Sequence, residues 1–334
     1  MPNKLPLMKV LVTGGSGIVG RFIIHNLLEK GFEVHALCRN PEKASLKFKA
    51  DIENLKWIKG DILDVFSLEE ALKEMDFVIH AAGLVSFDPK DRDLLIKINW
   101  EGTANVVNAC LNNSGIKKLV HISSVSCLSP SKPMPSEIDE RQGFNPDRNS
   151  SDYSVSKYAA EMEVCRGVEE GLSAVMVNPS IVLAPGKEGE SSAALAAYAM
   201  KPRFFQPPGW LNYVDSRDLA EIVVRLLQEG PSEGNRMVVS AGHIPYPDFF
   251  SKIANKVGIR PPLFITGPIL TGMAWRFARL ISIITGKKPL LTRFTAASAS
   301  KKFIYKGIAL ENALGKFQYR SLEESLTWII KEKG

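Results

Sequence analysis

"TGGSGIVG", residues 13–20, decides the fold of this chain of 334 residues. It ends the apolar run "KVLVTG" and opens a segment with helical periodicity from Gly17 to Lys30. Gly14 permits a tight turn, Gly17 lets backbone approach a pyrophosphate, and Gly20 lets the helix pack on the strand. Amides at the start of that helix attract the anion. The stretch predicts a dinucleotide site with contacts from Thr13, Gly14, Ser16, Gly17, Ile18 and Gly20.

Short apolar runs alternate with helical patterns through the first half of the chain. After "KVLVTG" come "EVHALC", "KWIKGD", "DFVIHAAG", "KKLVHISS" and "SAVMVNPS". Runs of this kind, separated by helices, are typical of a parallel sheet covered on both faces. We predict an α/β fold: a Rossmann doubly wound parallel sheet over 1–178 with a return segment 211–240, and a smaller, mostly helical substrate lobe from 179–210 and 241–334. A purely structural glycine turn is the weaker alternative in this context.

The end of the second strand bears on the choice of dinucleotide. NAD-binding chains usually place an Asp or Glu about 20 residues beyond the glycines, where it accepts from the ribose 2′-hydroxyl. This chain has Arg39 in "HALCRNPEK", and a guanidinium there would bind the 2′-phosphate of NADP. A surface arginine that only caps the strand is the alternative. Asp61 and Ile62 follow the third strand and are placed to contact the adenine, although Asp there is also an ordinary turn former.

"DYSVSKYAAE", residues 152–161, places Tyr153 and Lys157 on one face of a predicted helix. We expect that face at the C-terminal edge of the sheet, where open α/β folds bind ligands. A phenol with a pKa of about 10 is a poor acid–base group at neutral pH, so we expect the lysine ammonium to lower the tyrosine pKa. Ser124, at the end of "KKLVHISS", would hydrogen-bond the same substrate oxygen.

These residues belong to a longer series of motifs. In chain order the series is "TGGSGIVG", "GD" at 60–61, "HAAG" at 80–83, "INWEGT" at 98–103, "ISS" at 122–124, "YSVSK" at 153–157, "NPSIVLAPG" at 178–186 and "NYVDSRDLA" at 212–220. The series covers nearly the whole chain and resembles the extended short-chain dehydrogenases/reductases of the NAD-dependent epimerase/dehydratase superfamily.

The resemblance implies roles for the catalytic candidates. Tyr153 would be the acid–base group, and Lys157 would also hold the nicotinamide ribose. Ser124 would orient the substrate carbonyl, and Asn99 would join an active-site hydrogen-bond relay. Ser123 competes with Ser124, which we prefer because the family's functional serine is typically the second of such a pair. Asn99 as a simple helix cap is the alternative.

The resemblance also implies further cofactor contacts. They are Ala81, Ala82 and Gly83 along the cofactor channel, and Pro179 and Ser180 at the nicotinamide, besides Tyr153 and Lys157. Pro179 as a simple strand terminator and His80 as a satisfied strand residue are the alternatives.

Within that family the chain looks most similar to the dihydroflavonol-reductase and 3β-hydroxysteroid-dehydrogenase branch. Nucleotide-sugar 4,6-dehydratases follow their active-site Ser or Thr with Asp-Glu, whereas this run is "SSVSCLS". We expect an oxidoreductase that interconverts a carbonyl and an alcohol with NADP(H), or with NAD(H) as the alternative cofactor, Tyr153 giving its proton to the carbonyl oxygen. A nucleotide-sugar epimerase with tightly held NAD and a non-enzymatic NADP-sensing or scaffold protein are the alternatives.

Composition argues against several other classes. The chain is 45% hydrophobic and 23% charged, which is typical of a globular protein. Its four cysteines never form a Cys-x-x-Cys pair and its five histidines lack ligand spacing, so we predict neither a disulfide framework nor a metal site. The first residues lack a signal-peptide pattern, which makes a cytoplasmic location the expectation. Without a nucleic-acid-binding motif, the net charge of +6 does not indicate a nucleic-acid partner.

Positive charge is concentrated near the C-terminus. Residues 251–310 carry eleven Lys or Arg and no Asp or Glu, which indicates either an anionic ligand or surface or a solvated basic face. The apolar segment 263–293 within this region is broken by Gly-Pro and contains Arg276 and Arg279, so we expect it not to span a membrane.

Two uses of that segment stay open. It would form core or a pocket lid, or it would make peripheral membrane contact aided by Lys287, Lys288 and Arg293. Either use favours a bulky, apolar small-molecule substrate. The sequence leaves both a monomer and a homodimer open.

Overall fold

The computed structural model of the chain describes residues 7–46, 48, 52–129, 136–146, 150–186, 193–285 and 291–332. Its strands are β1 (Lys9–Thr13), β2 (Glu33–Cys38), β3 (Leu55–Lys59), β4 (Phe77–His80), β5 (Lys118–Ile122), β6 (Ser136–Ile138), β7 (Ala174–Pro179), β8 (Ile181–Leu183), β9 (Phe205–Gln206), β10 (Trp210–Asp215), β11 (Glu233–Val239), β12 (Gly242–Pro245), β13 (Phe264–Ile265) and β14 (Phe303–Tyr305).

Its helices are α1 (Ile18–Glu29), α2 (Pro41–Ser45), α3 (Val65–Leu72), α4 (Arg92–Leu95), α5 (Gly102–Leu111), α6 (Asp152–Glu169), α7 (Ala193–Ala199), α8 (Ser216–Glu229), α9 (Tyr246–Val257), α10 (Pro268–Thr285), α11 (Arg293–Ser298), α12 (Ile308–Leu314) and α13 (Leu322–Lys331). A π-helical segment, Ile96–Glu101, joins α4 to α5. Short 3₁₀ turns lie at Pro89–Asp91 and Val125–Cys127.

Seven parallel strands form the central sheet, in the order β11-β7-β5-β4-β1-β2-β3. β1 pairs with β2 on one side and with β4 on the other, so the strand order reverses beside β1. In open α/β sheets, ligands bind at such a switch point, outside the carboxyl ends of the strands. The predicted α/β class with a doubly wound parallel sheet is confirmed.

Both faces of this sheet are covered because its central strands are largely apolar. Val10 and Val12 point to one face, where they are fully buried with residues of α1 and α8. Leu11 and Leu119 point to the other face and are fully buried with residues of α3, α5 and α6. This alternation follows from the two-residue period of a strand. Because both faces are covered, a ligand would bind at the ends of the strands.

The chain leaves the central sheet after β7 and returns to it later. α8 packs against α1, and β11 pairs in parallel with β7. A separate core of α7, α9 and α13 forms around Phe249 and Leu326, beside the small sheet β12-β10-β8. The division of the chain into a nucleotide-binding domain (1–178 with 211–240) and a substrate lobe (179–210 with 241–334) stays a prediction, and α12 of the second segment packs on β11 of the central sheet.

Helix α10 lies at the outside of the second lobe. Its side chains Ile269, Phe277 and Ile284 are 82%, 65% and 76% exposed, so the core alternative for this segment is wrong for these side chains. Lys287 and Lys288 lie outside the described residues. Of the helices that the structure describes, none is both long and apolar enough to cross a bilayer.

Candidate active site

In the turn between β1 and α1, neighbouring backbone atoms lie so close that only glycine fits. Gly14 has a φ of +71°, and a Cβ there would lie 2.5 Å from the Ala82 amide nitrogen. A Cβ on Gly20 would collide with the Gly14 carbonyl. Gly17 donates its amide to that carbonyl at 2.9 Å and is the N-cap of α1, where no described side chain caps the helix. The free amides of the first helical turn and the bare backbone around them fit a pyrophosphate, and Ser16 and Ile18 lie on the same turn.

Thr13 ties this turn to two neighbouring segments. Its hydroxyl lies 2.7 Å from His80 Nδ1 and accepts from the Ala82 amide at 3.2 Å. His80 Nε2 lies 3.0 Å from the Thr103 hydroxyl, which donates to the Asn99 carbonyl at 2.6 Å. Burial lowers the pKa of His80 to about 3, so the ring is neutral. His80 is therefore the satisfied strand residue of the alternative interpretation.

Asn99 lies inside the π-helical segment and is 1% exposed. Its Nδ2 donates to the Leu84 carbonyl and to the Ser156 hydroxyl, each at 2.9 Å, and its Oδ1 accepts from the Leu84 amide at 2.7 Å. A Cβ on Gly83 would lie 3.3 Å from Asn99 Oδ1 and 4.0 Å from Lys157 Nζ. Asn99 therefore holds the 83–84 backbone beside Lys157 and does not cap a helix, while its place in a relay stays a prediction.

Helix α6 brings Tyr153 and Lys157 to the carboxyl end of β5. Tyr153 is 9% exposed, and its phenol lies beside Ser124. The Lys157 ammonium donates to the Ile122 carbonyl at 2.7 Å. The structure thus brings Ser124, Tyr153 and Lys157 together at one strand end.

The two candidate serines have different partners. Ser123 is 5% exposed, and its hydroxyl donates to Glu161 Oε1 at 2.5 Å. Ser124 is half-buried, and its hydroxyl accepts from the Ser126 amide at 3.2 Å and lies beside the Tyr153 phenol. Of the two hydroxyls, that of Ser124 is the one beside the phenol.

Burial shifts the pKa values of the tyrosine and the lysine. It raises the pKa of Tyr153 above its ordinary value, and the nearby Ser124 hydroxyl offsets only part of that increase. It lowers the pKa of Lys157 to about 8. The sequence predicts a lowered tyrosine pKa, and the structure differs because the ammonium is bonded to the Ile122 carbonyl while the phenol is buried beside Phe87. At neutral pH the phenol is therefore protonated and can donate.

We expect stability to depend on pH through Lys157. Its pKa falls from an ordinary 10.5 to about 8 on folding, so between these values the unfolded chain binds more protons than the folded one. The free energy of unfolding should therefore rise with pH across this window, by up to about 3 kcal/mol relative to a Lys157→Met variant. Urea unfolding of both proteins at several pH values measures the difference, and a difference that stays constant would contradict the shifted pKa.

Sequence reasoning missed a buried carboxylate behind the site. Glu161 lies one helical turn beyond Lys157 and is fully buried. It accepts from the Ser123 hydroxyl at 2.5 Å and from Asn178 Nδ2 at 2.6 Å. Asn178 also donates to the Ser124 carbonyl at 3.1 Å. The carboxylate therefore fixes the strand end that carries the active-site serine.

The charge of Glu161 is balanced from the edge strand of the sheet. Arg236 of β11 donates to Glu161 Oε2 at 2.8 Å, and its side chain is 19% exposed. The only signal in the sequence is the four-residue spacing that puts an acidic residue on the same helix face as Tyr153 and Lys157. That spacing cannot identify Arg236, which is 75 positions away along the chain.

Sequence reasoning also missed two phenylalanines at the tyrosine. The Phe87 ring lies edge-on to the Tyr153 ring, with centroids 5.6 Å apart, and stacks on Phe294 of α11 at 5.1 Å. The two phenylalanines help to line a cavity of about 140 Å³ beside Ser151 at the start of α6. No motif marks these residues, because their contact is made only in the tertiary structure.

The residues predicted to contact the adenosine half lie at the ends of β2 and β3. Arg39 directly follows β2 and is exposed, and within the described part of the chain it forms no ion pair. Asp61 follows β3 and accepts from the Leu63 amide at 3.0 Å, which is the turn-forming role of the alternative interpretation. Ile62 is 8% exposed and belongs to the core.

The residues predicted at the nicotinamide lie around β4 and β7. Ala81 donates its amide to the Thr13 carbonyl at 3.1 Å, which places the 81–83 loop beside the glycine turn. Pro179 ends β7, and the next amide, of Ser180, donates to the Val239 carbonyl at 3.0 Å. The Ser180 hydroxyl is buried without a hydrogen-bond partner among the described residues, which suits a site for a polar ligand group.

The described residues hold no group of three His, Cys, Asp or Glu side chains that could bind a metal ion. The ionisable side chains at the site, Tyr153 and Lys157, suit acid–base chemistry.

Comparison with known proteins identifies the family. The model of the "NAD dependent epimerase/dehydratase family" matches residues 10–241. The chain belongs to this family. Cinnamoyl-CoA reductase 1 of Oryza sativa subsp. japonica is 28% identical over 243 residues, which cover 69% of this chain and 70% of that protein. Sterol demethylase protein B of Methylococcus capsulatus is 25% identical over 309 residues, which cover 92% of this chain and 89% of that protein.

A solved structure agrees over the whole chain. The crystal structure of gox2253 matches with a TM-score of 0.79 and 25% identity, covering 97% of this chain and 98% of that one. The resemblance to the extended short-chain dehydrogenases/reductases is confirmed. This member of the epimerase/dehydratase family is an NAD(P)-dependent oxidoreductase that acts on CH–OH or carbonyl groups of a small-molecule substrate.

Proposed function

We propose that the enzyme is an NADP(H)-dependent reductase of bulky, apolar ketones or aldehydes. The observation that carries the proposal is the setting of Tyr153, whose buried phenol lies beside Ser124 and whose ring lies against Phe87. A protonated donor beside aromatic rings suits a carbonyl attached to an apolar skeleton. The names of the two relatives support this substrate class, since one specifies a cinnamoyl thioester and the other a sterol.

Arg39 supports NADP(H) over NAD(H). Because β2 pairs with β1, the end of β2 lies beside the glycine turn, and Arg39 is the first residue after it. The glycine turn would hold the pyrophosphate, Arg39 the 2′-phosphate and Lys157 the nicotinamide ribose. NAD(H) is the alternative cofactor.

Three side chains would take part in the reduction. The bound nicotinamide supplies the hydride that the carbonyl carbon receives. Tyr153 holds the proton for the carbonyl oxygen, and Ser124 donates a hydrogen bond to that same oxygen as negative charge develops on it. Lys157 carries a positive charge below a pH of about 8 and would bind the nicotinamide ribose beside the phenol.

Arg39→Ala should weaken NADPH binding and leave NADH binding nearly unchanged. A charge-assisted hydrogen bond contributes about 1.5–3 kcal/mol, so we expect the Kd for NADPH to rise by roughly 10- to 150-fold. Isothermal titration of both cofactors into the wild type and the variant measures this.

A matched control tests whether the change in NADPH binding comes from the Arg39 contact or from the loss of any positive charge. Lys30→Ala removes an exposed cation at the opposite end of α1 and should leave both Kd values unchanged. If the wild type binds NADH as tightly as NADPH, or if Arg39→Ala leaves NADPH binding intact, the 2′-phosphate contact is wrong.

A nucleotide-sugar epimerase is the second candidate, because the family model that matches the chain is named for epimerases and dehydratases. An epimerase would retain its cofactor through the catalytic cycle, whereas a reductase exchanges it. Releasing the bound nucleotide by denaturation of the freshly purified protein tests this, since stoichiometric NAD would favour the epimerase.

A further inference from the structure

Helix α10 presents a row of large apolar side chains to the exterior. Spacings of three and four residues place them on one side of the helix, here called the α10 face. Its members are between 42% and 82% exposed: Ile269, Leu270, Met273, Phe277, Leu280, Ile281 and Ile284. A contiguous apolar surface of this kind marks a contact site.

The segment just before α10 extends this apolar character. β13 ends only three positions before α10 begins, and it pairs with β9. Large side chains of this strand pair and its flanks are between 49% and 75% exposed: Phe204, Phe205, Leu263, Phe264 and Ile265.

Positive charge borders the α10 face. Residues 251–310 contain eleven Lys or Arg and no Asp or Glu, of which Lys252 and Lys256 pair with Glu323 and Lys306 pairs with Glu137. Arg276 and Arg279 are exposed, and helical spacing puts them along one edge of the α10 face. Within the described ranges neither arginine forms an ion pair.

We propose that the α10 face docks on an anionic lipid bilayer, with the helix lying in the plane of the interface. An apolar stripe bordered by cations fits a surface that is apolar inside and negative outside. A second copy of this chain fits poorly, because its own α10 face would bring the same positive charges into contact. Docking of this kind requires no spanning helix.

Helix α10 is connected to the active site through α11. α10 packs against α11, which carries Phe294, and Phe294 stacks on Phe87 beside Tyr153. A docked enzyme would therefore meet an apolar substrate at the membrane surface, which rests on the proposed function. The docking itself does not, because vesicle binding requires no turnover.

Sedimentation with vesicles tests the proposal. The wild type should bind vesicles that contain phosphatidylserine, less tightly as salt increases, and should bind pure phosphatidylcholine weakly. Arg276→Gln with Arg279→Gln should weaken binding by about 30-fold, since each cation near an anionic surface contributes roughly a factor of five. Met273→Asp with Phe277→Asp should abolish it.

A control variant tests whether any loss of binding is specific to the α10 face. Phe66→Asp changes a 78% exposed phenylalanine on α3 and should bind like the wild type. Circular dichroism and thermal unfolding establish that each variant folds. The proposal is overturned if the wild type ignores phosphatidylserine, if it binds neutral vesicles equally well, or if Phe66→Asp loses as much binding. It is also overturned if the wild type is a dimer that Phe277→Asp converts to a monomer, which would assign the face to a second copy.

Discussion

Replacing Tyr153 with Phe is expected to lower kcat for carbonyl reduction by about 10²- to 10⁴-fold, the usual contribution of a positioned general acid. The change removes only the hydroxyl beside Ser124 and keeps the ring that packs on Phe87. The Kd for NADPH should therefore stay within about twofold of the wild type, since a factor of ten requires 1.4 kcal/mol. Steady-state kinetics and cofactor titration measure the two quantities.

The same helix provides a matched control for this experiment. Tyr158 is half-buried on α6, where its ring contacts Phe144 at 4.9 Å. Tyr158→Phe should retain nearly full activity, because its phenol is not at Ser124. Activity of Tyr153→Phe within tenfold of the wild type would remove Tyr153 from the role of proton donor. Loss of cofactor binding together with activity would indicate a structural effect instead.

Replacing Glu161 with Ala should lower the free energy of unfolding by about 3–5 kcal/mol, the range for a buried ion pair that loses one partner. The variant leaves Arg236 without its carboxylate and removes the acceptor for Ser123 and Asn178. Because Asn178 also bonds to the Ser124 carbonyl, kcat should fall in whatever fraction remains folded. Urea unfolding followed by circular dichroism measures the stability.

An exposed acid on the same helix serves as the comparison. Glu170 pairs with Arg166, and its side chain is 50% exposed, so Glu170→Ala should change stability by less than about 1 kcal/mol. Glu161→Gln, which keeps acceptor capacity but loses the charge, should fall between the two. If Glu161→Ala is as stable as Glu170→Ala, the buried network does not support the site as described.

Features that depend on short stretches of sequence were predictable. The glycine turn follows from Gly14, Gly17 and Gly20, because backbone geometry at a strand-to-helix turn is decided within a few residues. The pairing of Tyr153 with Lys157 follows from helical spacing, and the parallel sheet follows from runs of buried Val, Ile and Leu.

Features that depend on contacts between residues far apart in the sequence could not be predicted from it. Arg236 meets Glu161, and Phe294 meets Phe87, only because β11 and α11 return to the site late in the chain. The tyrosine pKa was predicted in the wrong direction for the same kind of reason. Spacing places Lys157 near the phenol, but it does not show that the ammonium is bonded to Ile122 or that the phenol is deeply buried.

The most direct test of the central claim is the redox balance of the purified enzyme. NADPH consumption and product formation would be followed with a panel of bulky aromatic and alicyclic ketones and aldehydes, and in parallel with nucleotide sugars. The account predicts one alcohol formed for each NADPH oxidised, a preference for NADPH over NADH that Arg39→Ala abolishes, and a kcat about 10²- to 10⁴-fold lower for Tyr153→Phe. Epimerisation of a nucleotide sugar with bound NAD and no net oxidation of added cofactor would contradict it.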